Sequence, residues 1–168
     1  MAVTKTELKS SFLKDIEESE EYKANVQSIQ DWLTGQTQLA QQQYRQTAQT
    51  AATQVSYDIS GAYANYLKQQ RNIASQGQLE TGYKEELGDI LKSQYGSVYQ
   101  QARATQAENV ASAAETYAKN VSQYSKEASE AAQSYYESAI KDAEIQANIY
   151  KAAEEYAGFT EDSQYPLY

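Results

Sequence analysis

The sequence predicts an all-α fold, an elongated helical hairpin or coiled coil with a short N-terminal helical segment, whose ordered state is partner-dependent. Three observations carry that expectation. Apolar residues recur at spacings of three and four over two long stretches, Pro166 is the only proline, and residues 97–157 contain neither Gly nor Pro. Leu, Ile, Val and Phe together number 25 of 168 residues, about 15%, below the ~20% at which a charged chain comes under suspicion of disorder. Ala and sixteen Tyr supply the rest of the apolar surface, a combination suited to thin helix seams. With so little to bury, backbone entropy stays uncompensated unless neighbouring copies or a larger partner cover the chain.

Residues 1–34 read as one or two short amphipathic helices. Thr4 and Glu7 fit the Ser/Thr-x-x-Glu capping box, in which each side chain satisfies an orphaned N–H of the first turn. Leu8, Phe12 and Ile16 form one stripe, and Val26, Ile29 and Leu33 a second. Trp32 beside it reads as a packing anchor; ligand stacking would need a polar pocket that the sequence does not supply. The acidic run Glu17, Glu18, Glu20, Glu21 reads as a solvated face or a joint between helices. A metal site would need acidic side chains that converge, and adjacent helical residues diverge around the axis.

Gly35 is the expected boundary before a first long helix over 36–75. That stretch is rich in Gln, Thr and Ala, a composition shared with low-complexity tracts. Its periodicity argues for helix: Tyr44, Ala48, Ala51, Val55, Ile59, Ala62, Tyr66, Gln70 and Ile73 repeat every eleven residues. Eleven residues over three turns predicts a nearly straight or gently right-handed seam.

A hinge over 76–82 follows. Gly77 is expected to take positive φ and end the first helix, and Thr81 to cap the second, with Glu85 and Glu86 in its first turn. So short a connection makes the flanking helices antiparallel neighbours. Substitutions at Gly77 and Gly82 are expected to disturb assembly. The second helix, 83–157, has a seam of Val98, Ala102, Thr105, then Val110, Ala114, Tyr117, Val121, Tyr124, Ala128, Ala131 and Tyr135. The latter group alternates four and three, a heptad pattern that predicts left-handed supercoiling. Glu115 to Lys119 and Glu137 to Lys141 are placed as i,i+4 ion pairs. A 36–75 arm, ~60 Å long, would leave part of the ~110 Å second helix uncovered, which argues for oligomerisation. The segment 158–168 reads as a flexible aromatic tail, either frayed or docking Phe159, Tyr165 and Tyr168 into a partner. The tyrosines along the second helix suit seam packing, or a surface for protein partners or a conduit once copies assemble.

The formal net charge is −9. Residues 1–84 carry nine acids and eight bases, and 85–168 fourteen acids and six bases, so the imbalance follows the hinge and direct nucleic-acid contact is not expected. Without Cys or His, disulfides, thiolate sites and the usual near-neutral acid-base group are excluded. No phosphate loop, triad or isolated carboxylate pair is recognisable, so no catalytic residue, metal or cofactor is expected and the chain reads as a non-enzyme. The N-terminal residues lack a signal-peptide pattern, and no apolar run approaches the ~20 residues of a membrane span.

A Gln/Ala-rich helix that breaks at Arg-x-x-x-Ser-x-Gly-x-x-x-x-Gly, here Arg71, Ser75, Gly77 and Gly82, and then resumes as a long helix resembles the small internal virion proteins of short-tailed bacteriophages. The resemblance covers 36–135. It extends to Tyr- and Gln-rich proteins around the portal and tail of phages infecting gut bacteria. It implies a virion component made in the bacterial cytoplasm, assembled with copies of itself and with other portal or tail proteins. Such a protein can leave the particle with the genome and meet a membrane only after ejection. The abundance of Tyr and the acidic helix over 97–157 depart from that pattern. The alternative is a cytoplasmic or secreted coiled-coil adaptor unrelated to virions.

Overall fold

A computed structural model describes residues 4–162, with side chains described as far as Glu155. The chain is all-α: α1 (Lys5–Glu18), α2 (Glu20–Ser75) and α3 (Thr81–Asp162). It divides into two compact units, one of residues 37–121 and one of the residues up to Gln36 together with those from Ser122 onward.

In the unit of residues 37–121, α2 and α3 form a helical hairpin. Tyr44 meets Tyr117, and Tyr66 meets Tyr95, at centroid distances of 5.9 and 5.6 Å, so the two segments run antiparallel. The connection over 76–80 is closed by backbone bonds, Gln76 N–H to Ile73 O and Leu79 N–H to Gln76 O, both 3.3 Å. No glycine described here has positive φ. The i-to-i+3 bond from Leu79 to Gln76 without a positive φ is the signature of a type I turn, which most residues can form. Gly77 therefore does not act as the left-handed stop expected of it, and an added Cβ there or at Gly82 meets nothing within 4 Å. Thr81 is the first residue of α3 and not its cap: the Glu80 carbonyl accepts from Lys84 N–H at 3.1 Å. Glu85 and Glu86 accordingly lie beyond the first turn, which holds no acid.

In the other unit, α3 is met by α1 and by the beginning of α2. Lys9 Nζ lies 3.2 Å from Glu144 Oε2, Phe12 packs on Tyr150 with centroids 6.4 Å apart, and Trp32 sets its edge against Tyr124 at 5.9 Å. The capping box at the start of α1 is complete: Glu7 N–H donates to Thr4 Oγ1 at 3.2 Å and Thr4 N–H to Glu7 Oε2 at 2.8 Å. Ser19 is the joint. Its backbone is extended (φ −64°, ψ 146°), its Oγ donates to Ile16 O at 2.6 Å, and the same Oγ accepts from Tyr22 N–H at 3.2 Å. One residue thus closes α1 and caps α2, while Glu20 and Glu21 occupy the positive end of the α2 dipole.

Two boundaries differ from expectation. α2 passes through Gly35 without a break, and α3 passes through Gly158 to Asp162. A single helical Gly costs ~1 kcal/mol relative to Ala, too little to end α2 at Gly35, where covered residues lie on both sides of it. Because α2 begins at Glu20 and α1 precedes it, the later part of α3 is covered within the same chain. The argument for oligomerisation from an uncovered arm therefore fails. Gln and Thr support these helices locally. Gln27, Gln54, Gln123 and Gln133 each donate to a carboxylate four residues on at 2.8–2.9 Å, and Thr34, Thr47, Thr53 and Thr116 bond back to the carbonyl four residues earlier.

Gly61 lies in the exposed interior of α2 with open space at its Cβ position, so Gly61→Ala is expected to stabilise by ~1 kcal/mol and to raise Tm by about 2–4 °C in a thermal melt. At the start of α1, the backbone and hydroxyl hydrogen bonds from Thr4 hold the Glu7 carboxyl below its ordinary pKa. Since the folded value is the lower one, the capping contribution is fully present above the ordinary carboxylate range and is lost as pH falls through the folded value. The protection of amides at the start of α1, taken relative to their intrinsic exchange rate at each pH, is expected to fall on acidification through that range, and Thr4→Ala should lower it already at neutral pH.

Candidate interaction surface

The seams are built from alternating Ala and Tyr layers. On α2 the covered positions include Ala40, Tyr44, Ala48, Ala51, Val55, Ile59, Ala62, Tyr66, Gln69 and Ile73, with Ala40, Ala51 and Val55 buried. Among the positions expected in this seam, Gln70 is exposed; its amide donates to Tyr66 Oη at 3.1 Å. On α3 the covered set includes Leu91, Tyr95, Ala102, Gln106, Val110, Ala113, Tyr117, Val121, Tyr124, Ala128 and Ala132. These steps also repeat every eleven residues; of the expected heptad positions, Val110, Tyr117, Val121, Tyr124, Ala128 and Ala131 are covered and Ala114 and Tyr135 are exposed. Ala113 is covered where Ala114 was expected, Gln106 is covered where Thr105 was expected, and Val98 and Tyr135 are each 42% exposed.

The reason is geometric. A heptad stripe and an eleven-residue stripe drift in opposite directions around an α-helix, by about 20° per repeat each. A heptad seam on α3 would rotate away from the α2 seam by ~50° every eleven residues. A long antiparallel contact therefore requires one shared period.

Tyr rings space the layers. Tyr63, Tyr66, Tyr95 and Tyr99 form one cluster, with neighbouring centroids 5.6–6.5 Å apart, and Arg103 lies 5.6 Å from the Tyr99 centroid. Such rings bury their faces and keep their hydroxyls at the water boundary. Tyr63 remains 49% exposed, and no large side chain among the described residues is fully buried. The most enclosed residues are instead Ala143 and Ala147, both 0% exposed, followed by Ala139 at 3%. They lie where α1 joins α3. Their four-residue spacing was visible in the sequence, but Ala is so frequent that it marks no stripe by itself.

The hinge residues do not converge on a site: Arg71 is exposed, and Ser75 Oγ donates to Asn72 O at 2.8 Å, an ordinary helix-end bond. The candidate docking residues Tyr165 and Tyr168 lie outside the described residues, and Phe159 belongs to α3 with its side chain outside them. Glu115 pairs with Lys119 at 2.7 Å, and that hydrogen bond and charge hold its carboxyl below the ordinary value. Glu137 accepts from Gln133 at 2.9 Å in place of the expected pairing with Lys141. An open groove of about 610 Å³ lies beside the Ser19 joint between Ile16, Tyr22, Tyr135 and Ile145. Among the described residues no group of three acidic side chains is placed to hold a metal, and no helix is long and apolar enough to cross a membrane.

No protein-family model, curated protein or solved structure matches the chain. The large aromatic side chains stand partly exposed along open seams and grooves.

Ala143→Leu, which forces three extra carbons into a fully enclosed position, is expected to destabilise by about 1–3 kcal/mol in chemical denaturation. Ala152→Leu on the exposed side of α3 should stay within about 0.5 kcal/mol of the parent.

Proposed function

We propose that the chain is a structural component of a bacteriophage virion, located at or inside the portal or tail region, assembled in the host cytoplasm and able to leave with the genome to help form a conduit. The observation that carries the reading is the open Ala/Tyr seam: long paired helices whose large side chains are covered on one side and available on the other. Such a surface suits packing into an assembly of repeated helices, as the resemblance around Arg71, Ser75, Gly77 and Gly82 implies. Its grooves among the described residues are open ones, as beside Ser19 and along the Tyr44–Tyr117 seam. The coiled-coil adaptor is the second reading, favoured by the coverage of α3 within one chain, which makes the helix pair less dependent on a neighbour.

Mass spectrometry of purified particles is expected to detect the chain at a copy number that is a multiple of the portal or tail symmetry. Its absence from particles, with a stable small oligomer in isolation, would establish the adaptor reading instead.

A further inference from the structure

In the unit made of the residues up to Gln36 and those from Ser122 onward, one side of the helix pair is hollowed along its length. The open groove of about 610 Å³ beside Ser19 is followed, one turn on along both helices, by a hollow of about 390 Å³ between Ser28, Trp32, Glu127 and Ala131. Four apolar side chains stand open along this side: Trp32 at 40%, Tyr135 at 42%, Ile145 at 54% and, one turn beyond it, Ile149 at 64%. Single apolar residues are ordinary on a surface, but a row of them flanking a recess marks a contact site.

The charges lining the two hollows are all of one sign. Asp15, Glu21 and Asp142 line the first and Glu127 the second, and no Lys or Arg lines either. The unit holds sixteen acids and seven bases, and the bases are all Lys. Five of these are already engaged, Lys9 with Glu144, Lys14 with Glu18, Lys23 with Glu20, Lys126 with Glu130 and Lys151 with Glu154, at 2.7–3.8 Å. Of the other two, Lys5 lies in the first turn of α1 and Lys141 stands at the outer rim, one turn before Ile145. Among the described residues no ion pair reaches Asp15, Glu21 or Asp142. Helical geometry explains the sorting. Glu21, Asn25, Ser28 and Trp32 share one stripe of α2, and Tyr135, Asp142, Ile145 and Ile149 one stripe of α3. Lys23 and Lys151, two residues from Glu21 and Ile149, fall on the opposite sides of their helices.

We infer that this side of the unit docks a basic amphipathic helix of another protein. The apolar edge of that helix lies against Trp32, Tyr135 and Ile145, and its Lys or Arg residues face Asp15, Glu21, Glu127 and Asp142. The recess runs from Asp15 to Trp32, ~27 Å of helix, so the occupant is a helix of about five turns with anchors recurring every three to four residues. A second copy of the chain would instead bring its own −9 to an acidic surface. Neither the virion nor the adaptor reading is presupposed, and detection in particles is a separate measurement.

Trp32 is the only Trp, so its emission reports on the groove without a label. The probe is a Trp-free peptide of about 18 residues with Leu along one helical face and Lys on the other. Added to the full chain, it is expected to move Trp32 emission to shorter wavelength in a saturable way. Binding should weaken at least tenfold between about 0.01 and 1 M salt, over which the screening length falls from ~30 to ~3 Å. A peptide with Glu in place of Lys, and a shuffled peptide that keeps the composition but loses the Leu face, should each bind at least tenfold more weakly. Asp142→Lys should weaken binding about tenfold and Ile145→Ser about threefold. Glu137→Lys, the same change of charge on the opposite side of α3, should stay within about twofold, with helicity by circular dichroism equal in all three variants. No shift with the Leu/Lys peptide, equal binding of the shuffled peptide, or equal weakening by Glu137→Lys and Asp142→Lys would overturn the inference. Self-association of the parent chain that Ile145→Ser abolishes would assign this side to a second copy and overturn it as well.

Discussion

A shared eleven-residue period is the constraint on which the structure depends. Two helices that touch along many turns must present stripes that drift equally, and α2 and α3 do so with the same four, four, three succession of covered positions. Ala40, Ala51 and Ala62 repeat on one helix as Leu91, Ala102 and Ala113 do on the other. Local helix preference alone would not hold such lengths in register.

That seam is thin, and its thinness sets what the molecule can do. Burial falls mainly on Ala, which loses no rotamer freedom but contributes little apolar area, while Tyr and Trp are left half covered, as in the contacts of Tyr44 with Tyr117 and Trp32 with Tyr124. The cost of ordering the backbone is offset by many small terms. The Gln-to-carboxylate bonds, the Thr4–Glu7 box and the two-way cap at Ser19 are among them. A chain built this way keeps much of its aromatic surface available for contact. It also separates charge in space: the acids that appear in sequence to follow the hinge gather, once α1 and the start of α2 meet the end of α3, into one unit and leave the other neutral.

The amino-acid sequence by itself determined the fold class, the capping box, the turn between residues 75 and 81, and the stripe on α2. Each is local, resting on side chains within a few residues of the backbone they act on, or on a period that large residues such as Tyr44, Val55 and Tyr66 mark plainly. Only the tertiary structure decided which of several possible stripes α3 uses. Ala occupies 111, 113 and 114 alike, and its small side chain fits a seam or a surface at similar cost, so a heptad through Ala114 and an eleven-residue repeat through Ala113 are equally good within the helix. The partner helix selects between them by its own period. It also decided that Gly35 is an interior residue and Gly77 an ordinary turn residue, because packing on either side outweighs the ~1 kcal/mol preference of one glycine.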